Sequence, residues 1–209
     1  MPGGRPRRHA VDYARCVSAI GPAVTLRRPT TGDVDAAAEL HAWSWRATYD
    51  PLLPVTEQGL FTADERRRLW ARALAAPGAD ECIWLAEADG RVVGLVFGGR
   101  SIDGDAAPDV GEIHAIHVEP GLHGRGIGRI LLDAALVDLG RTGFGEATLW
   151  VIRENRDARR FYEGLGWRLD GAEKRGRMGD LDGLPVVDEV RYRRSLAPAS
   201  FTAPASVAR

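Results

Sequence analysis

Glu112, His114 and His117 lie in one short apolar run, Glu112-Ile113-His114-Ala115-Ile116-His117-Val118. A carboxylate and an imidazole two residues apart on a strand share a face, so either can take a proton from a bound group. An imidazole titrates ordinarily near pH ~6.5, which suits proton relay. Alternation places His117 on the opposite face from Glu112 and His114. The run turns at Pro120 and passes into His123-Gly124-Arg125-Gly126-Ile127-Gly128-Arg129, which leads straight into an apolar helix pattern. Three glycines strip side chains from one patch of backbone, so amide N–H groups can close around an anion. The helix adds its positive N-terminal end, and Arg125 and Arg129 add mobile positive charge. A pyrophosphate is the natural guest.

Other phosphate binders fail on spacing. A nucleoside-triphosphate loop needs Lys-Ser/Thr after its last glycine, where Arg129-Ile130 stands here. A dinucleotide fingerprint needs Gly-x-Gly-x-x-Gly, and Leu131 or Arg129 would fall at its third glycine. Glu112, His114, His117 and His123 do not form His-Glu-x-x-His, and alternation divides them between faces, so no metal is expected. Cys82 opens a strand with no histidine beside it in sequence, which argues against a covalent thiol route.

The elements that must position these residues can be read from punctuation and period. Val24 to Arg28 alternates as a first strand. Pro29 to Asp33 is a turn with a cap, and Val34, Ala37, Ala38 and Leu40 begin a helical stripe. Thr62-Ala63-Asp64-Glu65 opens a second helix through Trp70 and Leu74. Cys82–Ala88 and Arg91–Gly98 flank Asp89-Gly90, a two-residue hairpin signal. Glu112–Val118 is the fourth strand, 126–139 its helix and Ala147–Ile152 the fifth strand. Asn155 caps a helix that ends at Gly166. Trp167–Ala172 and Val186–Arg193 close the chain as paired strands. The predicted order is β-α-α-β-β-β-α-β-α-β-β, an α/β (α+β) mixed sheet flanked by helices in one domain.

Composition bounds the function class. The chain has 209 residues, 44% hydrophobic, with a formal net charge of −1. That balance argues against a bulk nucleic-acid binder, and Arg5, Arg7 and Arg8 are too short a basic stretch to overturn it. No apolar run reaches membrane-spanning length. Cys16 and Cys82 make no disulfide framework or metal cluster, so a cytoplasmic location is expected. Residues 1–22 read as a flexible extension, 23–196 as the folded domain and 197–209 as a loose tail.

The element order, with the Gly124-Arg125-Gly126-Ile127-Gly128 loop after the fourth strand, resembles the GNAT superfamily of acyl-CoA-dependent N-acyltransferases. A second segment, Asn155-Arg156-Asp157-Ala158-Arg159-Arg160-Phe161-Tyr162-Glu163-Gly164-Leu165-Gly166-Trp167, resembles that family's Asn-x-x-Ala-x-x-Phe-Tyr-x-x-x-Gly-Phe pattern. Two motifs in the right order are far more specific than either alone. The likeness covers residues 23 to 196. It departs at His123, where Gln or Arg is usual, so one phosphate contact becomes pH-sensitive or is lost. Trp167 replaces Phe, and Gly164 stands where a longer residue is common.

The resemblance implies acetyl-CoA as acyl donor, held by residues 123–129 and by Ile116, His117, Val118 and Asn155. The amides of His117 and Val118 would polarise the thioester carbonyl. The pantetheine arm would pair with the fourth strand where it splays from the fifth. Glu112 or His114 would be the base, with the choice between them open, and Tyr162 the acid that protonates the leaving thiolate. Trp43, Trp45 and Tyr49 would wall the acceptor site, unless they are core aromatics at helical spacing. The acceptor would be a small-molecule amine or a protein N-terminus, with no nucleic-acid or membrane partner; a homodimer stays open. The implied activity is acetyl transfer to a primary amine in a ternary complex. The competing reading is a non-catalytic acyl-CoA-binding sensor that kept the loop and lost turnover.

Overall fold

The computed structural model describes residues 24–52, 61–177 and 186–196. The extension over 1–22 and the tail over 197–209 lie outside the described residues. Among the described residues, eleven strands and α-helices follow the predicted order: β1 (Thr25–Arg27), α1 (Val34–Tyr49), α2 (Ala63–Ala75), β2 (Cys82–Ala88), β3 (Arg91–Arg100), β4 (Val110–Val118), α3 (Ile127–Thr142), β5 (Glu146–Ile152), α4 (Arg156–Gly164), β6 (Arg168–Arg177) and β7 (Val186–Ser195).

Local chemistry explains the boundaries. At the start of α2, the Thr62 backbone N–H and hydroxyl both donate to the Glu65 carboxylate, at 3.3 and 3.1 Å. That reciprocal cap supplies partners for groups the first helical turn leaves open. Between β2 and β3, Asp89 and Gly90 take φ of 50° and 71°, the left-handed pair that suits a tight hairpin. Asn155 caps α4, its side-chain oxygen accepting from the Ala158 N–H at 3.1 Å.

The strands form one sheet in the order β1-β2-β3-β4-β5-β7-β6. Neighbours are antiparallel except β4 and β5, whose parallel pairing needs the α3 crossover. Pairing of β4 with β5 covers only Val110 to Glu112 against Glu146 to Thr148. Beyond that point β5 pairs with β7 alone, so the sheet splays open along residues 113–118.

Two apolar layers hold the sheet. On one face, Val93, Val96 and Ile113 pack with Ile127, Leu131, Leu132, Ala135 and Leu139 of α3. On the other, Ile83, Leu85 and Leu95 pack with Ala37, Ala38 and Leu40 of α1 and Trp70 and Leu74 of α2. Each fully buried Leu or Ile side chain contributes about 1.5–3 kcal/mol of transfer free energy, which keeps β4 fixed between the two layers.

Candidate active site

The strand β4 does not alternate regularly. Ile113 pairs with Gly98 and Ala115 with Phe97, so His114 has no cross-strand partner and the ladder shifts there. This bulge changes the phase of the side chains. Ile113 faces α3, while Glu112 and His114 meet on the other face, His114 Nδ1 to Glu112 Oε1 at 3.5 Å. Beyond the bulge, His117 turns to that same face and stacks on His41 of α1, ring centroids 4.1 Å apart. The expectation that His117 points away from Glu112 and His114 is therefore corrected: the inserted residue brings all three to the α1–α2 face. Among the described residues, no group of three or more His, Cys, Asp or Glu is arranged to hold a metal.

Glu112 is 5% exposed. Its Oε2 accepts from the Ser101 hydroxyl at 2.9 Å and from the Ile102 N–H at 3.2 Å. Burial alone would raise its pKa, but His114, Ser101 and the Ile102 amide outweigh burial and hold the carboxyl below its ordinary value. Glu112 is thus an anion at neutral pH and a weak base. His114 is the more accessible of the two, and its ring lies 5.2 Å from Phe97.

Sequence reasoning missed His41, because one histidine in an apolar helix carries no signal of a partner on a distant strand. It accepts from Trp70 Nε1 through Nδ1 at 3.3 Å and is buried. Burial first, then His117 and Arg66, push His41 well below its ordinary value. Burial and Arg66 push His117 down to about 4. An unfolded imidazole titrates near ~6.5, so between the two values the unfolded state binds more protons. The stability that neutral His117 contributes is present above pH ~6.5 and lost as pH falls through about 4. Denaturant titrations should therefore show stability falling across that window by about 3 kcal/mol from His117. His117→Phe should flatten the fall; an unchanged slope in that variant would contradict the assignment.

The glycine loop follows directly. Gly124 and Gly126 take φ of 76° and 82°, and Gly126 stands immediately before α3. A Cβ added at Gly124 would meet nothing within 4 Å, so the space beside this stretch of backbone is open. Arg125 and Arg129 are exposed beside it, and Arg129 Nε lies 3.7 Å from Asp133. These features fit an anionic diphosphate.

Three residues of the loop have protein neighbours of their own. A Cβ on Gly128 would come within 3.3 Å of Phe161, so this glycine lets α4 pack against the start of α3. Ile127 is buried in the core and can offer only its amide. His123 turns its Nε2 back to the Val118 carbonyl, 3.0 Å away, rather than toward the loop's open side. Ile116 and Val118 present their side chains to the α3 layer, which leaves only their backbone for a ligand.

On α4, Tyr162 is buried, with Trp167 and Tyr192 ring centroids at 6.1 and 6.3 Å. Burial and the nearby Tyr49 raise its pKa, so the hydroxyl stays protonated at neutral pH. Tyr49, at the end of α1, lies beside the Asn155 side chain. That contact links α1 to the cap of α4 and places Tyr49, Asn155 and Tyr162 together. The remaining expected wall residues separate. Trp45 is core, stacked on Phe61 at 4.3 Å and nearly parallel, because its helical spacing turns it inward with Ala42. Trp43 is 45% exposed.

A seven-stranded mixed sheet, splayed at its one parallel junction and followed by a glycine nest before a helix, defines the acetyltransferase class of fold. The chain belongs to the Acetyltransferase (GNAT) family, whose profile matches residues 37–167, more than half of it. It is 34% identical over 111 residues to the mycothiol acetyltransferase of Thermomonospora curvata, covering 53% of this chain and 35% of that protein. An uncharacterized N-acetyltransferase of Methanocaldococcus jannaschii is 28% identical over 166 residues, covering 75% and 68%. The chain thus spans about a third of the length of the first relative and two thirds of the second. Among solved structures, the PaiA N-acetyltransferase of Thermoplasma acidophilum in complex with coenzyme A shares the fold. Its TM-score is 0.58 at 19% identity, covering 79% of this chain and 97% of that one.

Proposed function

We propose that the chain is an acetyl-CoA-dependent N-acetyltransferase acting on a primary amine by direct attack in a ternary complex, with residues 23–196 as the catalytic domain. The observation that carries this reading is positional. The Glu112–His114 pair sits where β4 leaves β5, and the same strand runs on into the positive-φ glycines.

The amides around Gly124, Arg125, Gly126 and Ile127, with the Arg125 and Arg129 guanidinium groups, would hold the donor's diphosphate. Residues 116–118 would offer backbone to the pantetheine arm. Acetyl-CoA, when bound, supplies the acetyl thioester. His114 Nε2 accepts the proton of the acceptor ammonium, because Glu112 is too weak a base and is shielded behind the ring. Glu112 faces Nδ1, fixes the tautomer and stabilises the imidazolium that forms. The Val118 N–H, on the edge that β5 leaves open, polarises the carbonyl oxygen; the adjacent His117 N–H points the other way, into the pairing with Leu95 of β3. The Tyr162 hydroxyl gives its proton to the leaving sulfur. Asn155 orders the start of α4 and, through Tyr49, the neighbouring wall of the acceptor site.

A thiol-release assay with acetyl-CoA tests this over polyamines, amino-acid analogues, mycothiol-related amines and peptides with free N-termini. Release above the buffer rate with at least one amine is expected; none with any of them would overturn the proposal. With the best acceptor, Tyr162→Phe should lower kcat by roughly 10- to 100-fold with acetyl-CoA affinity unchanged. That is the low end of acid catalysis, because a thiol of pKa about 8.5 leaves readily as its anion. A kcat within twofold of the parent would remove Tyr162 from its role.

A further inference from the structure

The Glu112 carboxylate is gripped by a loop that burial does not hold down. Ile102, whose N–H donates to Glu112, has a side chain 81% exposed. The loop is tied instead by a polar clasp from the far half of the sheet. Trp150 on β5 donates its indole N–H to both Asp103 oxygens, at 3.0 and 3.1 Å. Its cross-strand neighbour on β7, Arg191, has a buried guanidinium that reaches Asp103 at 2.9 Å, Asp105 at 2.7 Å and Asp170 of β6 at 2.8 Å. Asp105 is largely exposed, so the shielded pairs with Asp103 and Asp170 dominate. From Asp103 the grip passes inward. Its N–H donates to Ser101 Oγ at 3.3 Å, which turns the Ser101 proton onto Glu112.

We infer that Trp150, Asp103 and Arg191 are positioning residues for the reaction: they lock the loop between β3 and β4 so that Ser101 and Ile102 hold Glu112 in place behind His114. The clasp joins β5 and β7 to this loop just beyond the last β4–β5 pair, so strands other than β4 help to align the base. The inference rests on the assignment of Glu112 and His114 as the proton-accepting pair.

The test is Trp150→Phe, which removes the indole donor and changes no charge. The charged and titratable groups around the pair all remain: His117 on β4, His41 from α1, Arg66 from α2, Glu81 across Gly99, and Arg191 with its carboxylates. With the loop loosened, Glu112 loses donors and leans on the imidazolium. The His114 Cε1–H resonance of the free protein, assigned by its absence in His114→Gln, should then move to a new chemical shift at a fixed, neutral pH. The acid limb of kcat/KM should move with it, kcat should fall about 10-fold, and acetyl-CoA affinity should not change. A shifted resonance with an unmoved rate profile supports the clasp and removes His114 as the base. An unshifted resonance overturns the clasp. If Trp150→Phe does not fold, Ser101→Ala provides the same readout, with Ser101→Thr expected to restore it; an unshifted Ser101→Ala overturns the inference.

Discussion

His114→Gln should lower kcat/KM for the best amine acceptor by about 10²- to 10⁴-fold, the range that a positioned general base contributes. Glutamine keeps a polar side chain opposite Glu112 but cannot take a proton near neutral pH, so the loss reads proton acceptance rather than packing. Acetyl-CoA affinity should stay within about twofold by calorimetry, because the ring faces the α1–α2 side of the sheet while the glycine nest lies beyond the end of β4. The acid limb of the pH–rate profile should vanish with the ring. Glu112→Gln should leave that limb but move it to lower pH, since the imidazolium loses its counter-charge. Turnover of His114→Gln within about threefold of the parent at every pH would show that the acceptor arrives deprotonated or that another group takes the proton.

The second large effect concerns the donor. Gly126 takes φ of 82° at the mouth of α3, a conformation that costs an ordinary L-residue roughly 1–2 kcal/mol and a β-branched one more. Gly126→Val should abolish measurable acetyl-CoA binding, a loss of about 100-fold or more, by straining the nest and crowding the amides that face the diphosphate. Far-UV circular dichroism should be unchanged, since α3 is held from its other side by Leu131, Leu132 and Leu139. Gly128→Ala is the contrasting variant. Its new methyl group presses on Phe161, so it should reduce thermal stability before it reduces affinity. Retained acetyl-CoA affinity in Gly126→Val would mean that the donor's diphosphate lies elsewhere.

The order of elements was legible because short-range chemistry sets their ends. Asp89-Gly90, Thr62 with Glu65, and Asn155 each act over four residues or fewer, and each signal survives in the folded chain. The glycine loop was legible for the same reason, although Gly128 answers to Phe161, a neighbour thirty-three positions away that no local rule can supply. What sequence reasoning could not reach depends on partners distant in the chain. Ser101 and Ile102 on Glu112, His41 on His117, and Arg191 across three carboxylates belong to that group. Trp45 shows the limit from the other direction: its spacing permitted a core or a wall, and only Phe61 decides for the core.

The bulge at His114 has one more consequence, and it concerns editing. Strand β4 is written in two phases, one up to Ile113 and the other from Ala115 onward. The change of phase lets Ile113, Ile116 and Val118 all serve the α3 core while Glu112 and His117 share the opposite face. A substitution anywhere along the strand alters one side chain. Removing His114 itself would restore regular alternation, with Ile113, Ile116 and Val118 still toward α3 and Glu112 and His117 still opposite, so only the ring would be lost; removing one residue elsewhere in the strand would turn the side chains beyond it to the wrong face. Away from the bulge, the strand is therefore more exposed to a change of length by one residue than to a change of letter.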